Sequence, residues 1–174
     1  MMRRLIFCWA AALTLSAVDA SSQEGRFQRY DFKVPGAIGD IFWEDLDDDG
    51  LLEVLVIHVD ETQATPKRFL SIYRQDQTGQ FDGSRKLSWE FPPSVAAVDV
   101  GDISPDPGKE LVFITEEGVF YAAVNENQIG PLKLLMEAQS VVALSYEWSV
   151  PYYNFVRDYT NDGKDDILVC SFYH

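Results

Sequence analysis

The 174-residue sequence has little with which to cross-link itself or to run chemistry: two cysteines and two histidines. Cys8 lies in the apolar opening stretch, too early in it for lipid attachment. Cys170, expected in a buried strand, is then left without a partner, so disulfides do not hold the fold together. Basic residues are also scarce, 14 Lys and Arg against 28 Asp and Glu, for a formal net charge of −14. That balance argues against nucleic acid or an anionic membrane surface as partner. The G-x-S-x-G elbow, the P-loop, the G-x-G-x-x-G turn and the C-x-x-C pair are all missing. Neither His58 nor His174 stands near another candidate ligand or nucleophile in sequence, and His58 reads as the end of a strand. Helical periodicity is not sustained anywhere after Ala20, which points to a chain that is nearly all β.

The opening of the chain has a different character. Met1 to Arg4 are short and basic, Leu5 to Ala17 are apolar, and Val18-Asp19-Ala20 offers small residues for cleavage before Ser21. The run is too short to span a bilayer comfortably, so residues 1–20 read as a signal peptide and 21–174 as the mature portion. The product would be secreted, extracellular or periplasmic, with no membrane insertion after cleavage.

Against this background three acidic stretches stand out. Asp45-Leu46-Asp47-Asp48-Asp49-Gly50-Leu51-Leu52-Glu53 runs into Val54-Leu55-Val56-Ile57. Asp102-Ile103-Ser104-Pro105-Asp106-Pro107-Gly108-Lys109-Glu110 runs into Leu111-Val112-Phe113-Ile114, and Asp158-Tyr159-Thr160-Asn161-Asp162-Gly163-Lys164-Asp165-Asp166 runs into Ile167-Leu168-Val169-Cys170. Their first acids, Asp45, Asp102 and Asp158, recur at a nearly constant interval. A loop and an apolar run recurring together at a fixed period mark a repeat architecture. Carboxylates crowded at positions 1, 3, 5 and 9 repel one another unless water or a cation intervenes, and hard oxygen donors suit calcium.

One such cluster alone would read as a solvated turn, since Asp, Asn and Gly favour turn backbones without any metal; three in register favour the ion. An EF-hand would place a Glu at position 12 and helices on both sides. Position 12 is instead Val56, Phe113 or Val169, inside β-branched apolar runs, so these are loops between strands.

The pattern resembles the FG-GAP/VCBS repeats of integrin-α-type β-propellers. The resemblance implies calcium held by side chains at positions 1, 3, 5 and 9 and by the carbonyl at 7. In the first copy these are Asp45, Asp47, Asp49, Glu53 and the carbonyl of Leu51. In the third they are Asp158, Thr160, Asp162, Asp166 and the carbonyl of Lys164. The second copy offers Asp102, Ser104, Asp106, Gly108 and Glu110, but Ser104 is a neutral donor and Pro107 stands where Gly is expected. Weak binding, or none, is expected there.

Between the loops, Phe69–Tyr73, Leu87–Phe91, Val95–Val100, Val119–Val124, Leu132–Met136 and Val141–Trp148 read as strands. Each period therefore holds about four short strands, and the expected fold is all-β, a partial β-propeller of about three four-stranded blades. Trp43, Trp89 and Trp148 are expected in core packing rather than in sugar stacking. Three periods do not close a propeller, so the chain reads as the amino-terminal part of a longer protein.

Two functions follow: a secreted calcium-binding module serving protein or glycan binding and scaffolding, or the propeller portion of an exported carbohydrate- or lipid-acting enzyme whose catalytic part lies elsewhere. No catalytic residue is assigned. Fold-level likeness alone does not choose between the two.

Overall fold

A computed structural model describes residues 28–62, 64–81, 83–140 and 149–170. The leader expected over 1–20, the strand expected over 141–148 with Trp148, and His174 lie outside these residues. By contact density the chain divides into Met1–Asp31 and Phe32–His174. Every described strand belongs to the second unit.

The described residues are all-β. β1 (Ala37–Glu44), β2 (Glu53–Asp60), β3 (Lys67–Tyr73) and β4 (Lys86–Glu90) form one antiparallel sheet in the order β1-β2-β3-β4. β5 (Val95–Gly101), β6 (Glu110–Thr115), β7 (Gly118–Ala123) and β8 (Lys133–Glu137) form a second sheet of the same order. β9 (Val156–Arg157) and β10 (Asp166–Ile167) pair as a third, two-stranded sheet. Among the described residues no helix is long and apolar enough to cross a membrane.

The apolar runs behind the first two acidic loops become the second strand of each four-stranded sheet because both faces of that strand are covered, where a continuous apolar stretch is favoured over strict alternation. In β6, Leu111 and Phe113 point into a core shared with the first sheet, alongside Leu55, Ile57, Leu70, Ile72 and Phe91. Val112 and Ile114 point the other way, into a second core with Val119, Phe155 and Val156. The second sheet is thus packed on both sides. Full burial of a side chain the size of Phe113 stabilises by roughly 1.5–3 kcal/mol, so the two cores carry most of the cohesion.

Buried arginines join the first two sheets. Arg68, at 8% exposure, donates to the carbonyls of Val95, Pro92 and Pro93. Arg74, at 4%, donates to those of Asn125 and Glu126. Each guanidinium thus meets backbone carbonyls at or beside the sheet ends, as its burial requires.

Three expectations fail. Trp43 is 63% exposed instead of packed in a core, because its face of β1 has no described sheet against it. Cys170 is exposed rather than buried. The apolar run expected as a buried strand over 167–170 is strand only as far as Ile167, which leaves Leu168 59% exposed. Trp89, in contrast, packs against Phe91 and Phe113 as expected.

Candidate metal centre

Each acidic stretch connects the first strand of a sheet to the second: residues 45–52 join β1 to β2, 102–109 join β5 to β6, and 158–165 join β9 to β10. Hydrogen bonds chain the three loops together. Lys109 N–H donates to the Leu46 carbonyl at 2.8 Å, and Asp102 N–H donates to Asp165 Oδ2 at 2.9 Å.

The first and third loops share a backbone. Gly50 and Gly163, both at position 6, have φ of 84° and 86°, and Asp48 and Asn161, both at position 4, have φ of 57° and 60°. Asp and Asn are the non-glycine residues that best tolerate this region. The supporting bonds also repeat. The position-1 carboxylate accepts from the N–H at position 6, Gly50 to Asp45 at 3.0 Å and Gly163 to Asp158 at 2.8 Å. The position-5 carboxylate accepts from position 7, Leu51 to Asp49 at 2.8 Å and Lys164 to Asp162 at 3.0 Å.

The second loop is built otherwise. Pro105 occupies position 4, where the ring locks φ at about −65° and closes the left-handed conformation. The positive-φ glycine of this loop is Gly108, at position 7, with φ of 86°. The turn is displaced by one residue, and Ser104 faces inward: its Oγ donates to Glu110 Oε1 at 2.5 Å and accepts from Asp106 N–H at 3.2 Å.

In all three loops the acid at position 9 already has a task. Glu53 accepts from Leu46 N–H at 2.9 Å, Glu110 from Ile103 and Ser104 N–H, and Asp166 from Tyr159 and Thr160 N–H at 3.0 and 2.9 Å. The carboxylate that opens the second strand thus ties down the start of its own loop.

Among the described residues, one group brings three acidic oxygens within 4.8 Å of one another: Asp45, Asp47 and Asp49. Glu53, Asp158, Asp162, Asp166, Asp102, Asp106 and Glu110 join no such group. Asp45 Oδ1 is buried and has no hydrogen-bond partner. An ionised oxygen left dry and unpaired is costly, and a hard cation would satisfy it with oxygens alone, as calcium prefers.

Electrostatics agree with an incomplete set of charges. Burial raises the Asp47 carboxyl above its ordinary value, and Asp49 and Asp45 add to the rise. Glu53 is pushed up to about 7, by burial first and then by Asp47 and Asp49, against the pull of the Leu46 N–H and of Arg74. Two cations stand by. Arg74 lowers both Asp47 and Glu53, and its Nε is buried without a partner. Lys109, from the second loop, pairs with Glu44 at 2.9 Å. Burial pulls the Lys109 ammonium down, but Glu44, Asp45 and Asp48 together leave it above its ordinary value.

Three residues escaped the reading of the sequence. Pro105 carried the signal, a proline where the other copies have Asp48 and Asn161. Arg74 and Asp99 lie outside the repeated motif. Asp99, 1% exposed in β5, accepts from Phe155 N–H at 2.6 Å, Val156 N–H at 2.7 Å and Val100 N–H at 2.8 Å, tying the second sheet to the third.

No family model, curated protein or solved structure matches the chain.

Proposed function

We propose that this chain is a calcium-stabilised repeat module of the β-propeller type, resembling FG-GAP/VCBS proteins, that acts outside the cytoplasm as a binding or scaffolding element for a protein or glycan. The observation that carries the reading is the first loop, where Asp45, Asp47 and Asp49 converge around a buried, unpartnered Oδ1 of Asp45. The third loop, with the same backbone and Thr160 in place of an acid, is the second and weaker site. The second loop holds no ion, because the Ser104–Glu110 bond occupies its donors and Pro105 forbids its turn.

The blade reading rests on how the sheets repeat. Val98 and Val100 of β5 are buried against the first sheet, whereas their counterparts in β1, Ile41 and Trp43, are 46% and 63% exposed. An open face at one sheet, covered at the next, is what a stacked array of like sheets presents where a further sheet packs.

The enzymatic alternative has one geometric attraction. His58 Nε2 lies 3.0 Å from Ser71 Oγ, a nucleophile–base distance, and Nδ1 lies 3.0 Å from the Pro35 carbonyl. A carbonyl only accepts, so Nδ1 carries the hydrogen and Nε2 accepts from Ser71. Yet Ser71 has no exposed surface, which leaves its hydroxyl out of a substrate's reach. The pair packs the sheet.

Calorimetric titration with calcium tests the reading. Extracellular modules bind at about 10⁻⁴–10⁻³ M, and an ion that binds only the folded state adds about 2.7 kcal/mol at a hundredfold excess over the dissociation constant. Asp49→Ala should remove the tighter site and Asp162→Ala the weaker, while Asp106→Ala leaves the titration unchanged. No calcium heat at millimolar concentration would defeat the proposal.

A further inference from the structure

The outer edges of the two four-stranded sheets are unlike. An edge strand offers unpaired N–H and C=O groups, and proteins commonly guard it with charge. β4 is guarded: Lys86, Ser88 and Glu90 are its exposed residues, Leu87 and Trp89 turn toward the core, and Glu90 pairs with Lys67 at 2.8 Å. β8 has the same charges at its ends, Lys133 and Glu137, but an apolar middle: all five of its residues are exposed, including Leu134 at 50%, Leu135 at 41% and Met136 at 44%. The register supplies the reason. Val119 pairs with Met136 and Phe120 with Leu134, which leaves Leu135 unpaired in a bulge and apolar side chains on both faces of the strand.

Beside this edge lies a cavity of about 370 Å³, lined by Phe120 and Leu134 and by the carboxylates of Glu116, Glu117 and Glu137. Its rim is well fixed. Thr115 Oγ1 accepts from the N–H groups of Glu117 and Gly118 and donates to the Gly118 carbonyl, closing the β6–β7 turn. At Gly118 a Cβ would meet the Met136 carbonyl at 2.2 Å, so the turn and β8 touch backbone to backbone. None of the ion pairs among the described residues involves the three glutamates. A strand edge with no partner strand, an apolar floor and three carboxylates outside any ion pair, all among the described residues of an acidic molecule, fit one kind of occupant by charge and shape.

We propose that the β8 edge and the adjoining groove bind an extended basic peptide segment of a partner protein. The segment adds to the second sheet as a fifth strand, sets an apolar side chain between Phe120 and Leu134, and lays Lys or Arg against Glu116, Glu117 and Glu137. The groove shares no residue with the first acidic loop, whereas Leu135 of β8 lines a cavity with residues 102–105 and 163–165, so the binding is measured both with and without calcium.

The test is fluorescence anisotropy of the full chain with a labelled heptapeptide alternating Lys with Val and Leu, its Glu-for-Lys counterpart, and the Lys peptide N-methylated at alternate residues along one edge. Binding of the Lys peptide is expected, weakened at least tenfold by the N-methylation and at least tenfold by the combined Glu116→Lys, Glu117→Lys and Glu137→Lys changes. The charge-reversed variant should prefer the Glu peptide. All three positions are exposed, so its unfolding midpoint should match that of the unchanged chain. Equal binding of the N-methylated peptide would reduce the interaction to charge adsorption and overturn the proposal. So would binding indifferent to the three reversals, no binding at all, or a sedimentation velocity showing that β8 pairs with β8 of a second copy.

Discussion

The first and second repeats have the same order of strands and opposite solutions to the same problems. The first keeps its acids apart from one another's hydrogen bonds and gathers three of them around an unsatisfied oxygen. The second turns Ser104 onto Glu110 and closes its loop internally. The contrast reaches into the strands. Phe42 of β1 stacks on Tyr152 at 4.0 Å between centroids. At the equivalent place β5 has the buried carboxylate of Asp99, which takes three backbone N–H groups instead. At this one position the first repeat uses ring stacking and the second uses hydrogen bonds. The comparison teaches that the repeat specifies backbone positions, not the chemistry used at them.

The largest effect should come from removing the second repeat's polar anchor. Burial pushes the Asp99 carboxyl above its ordinary value although Val156, Val100 and Phe155 N–H all pull the other way. Asp99→Ala would take this acceptor from the Val156 and Val100 N–H groups and leave Phe155 N–H with the Tyr153 carbonyl alone, at about 1–3 kcal/mol for each buried group left unpaired. We expect a total loss of about 3–5 kcal/mol in urea unfolding. Asp99→Asn, which keeps one acceptor oxygen, should lose less. A loss below about 1 kcal/mol for Asp99→Ala would mean that water replaces the carboxylate and that the anchor is dispensable.

Next comes the exchange of loop chemistry. Asp48→Pro puts into the first loop the residue that the second has at the same place, and a proline φ of about −65° cannot replace 57°. The variant should lose the calcium-dependent part of its stability, about 2.7 kcal/mol at a hundredfold excess over the dissociation constant. In the other direction, Ser104→Asp with Pro105→Asn and Pro107→Gly should add one calcium equivalent in calorimetry. An unchanged stoichiometry in both variants would show that the backbone at position 4 does not decide occupancy.

How much of this could be read beforehand follows from what repeats. The period, the loop-to-strand order and the convergence of Asp45, Asp47 and Asp49 are all local, set by residues within one loop and the strand after it. Asp99, Arg74 and the exposure of Trp43 depend on which sheet lies against which, and a single period carries no trace of its neighbour. Thr160 and Asp166 show a middle case. The resemblance to FG-GAP/VCBS loops implies them as ligands, but the Asp166 carboxylate also fits the two N–H groups at the start of its loop, and the pattern of residues cannot rank the two uses. The hydrogen bonds from Thr160 and Tyr159 hold that carboxyl below its ordinary value.

A pair of effects of comparable size separates the two glycine turns. Gly50 has φ of 84° and open space around a would-be Cβ, so Gly50→Ala should cost only the left-handed conformation, about 1–2 kcal/mol. Gly108 has φ of 86°, but a Cβ there would lie 2.5 Å from the Leu46 carbonyl oxygen, the group that accepts from Lys109 N–H. Gly108→Ala adds overpacking to the same backbone strain, so it should cost about 3 kcal/mol or more. It should also disturb the first loop and lower its calcium affinity. Equal losses for the two changes would mean that the contact between loops yields freely.

The smallest effect is a pH dependence that belongs to the first repeat alone. His58 is 1% exposed, and Thr115 holds the equivalent place at the end of β6. Burial depresses the His58 pKa from its ordinary 6.5, with Lys86 adding to the depression, while the Pro35 carbonyl and Asp60 oppose it. The unfolded chain then binds a proton that the folded chain refuses. Stability is full above about pH 6.5 and is lost as the pH falls toward the depressed folded value, with a slope of at most about 1.4 kcal/mol per pH unit for one proton. His58→Thr copies the second repeat's residue into the first and removes that proton, at a fixed cost from the lost ring packing on Phe69. The stability gap between the original chain and the variant, measured by urea unfolding at pH 7.5, 6.5 and 5.5, should narrow at the lowest pH. A gap that stays constant across the three would assign the acid sensitivity to other groups, and the two repeats would then differ at this position in packing only.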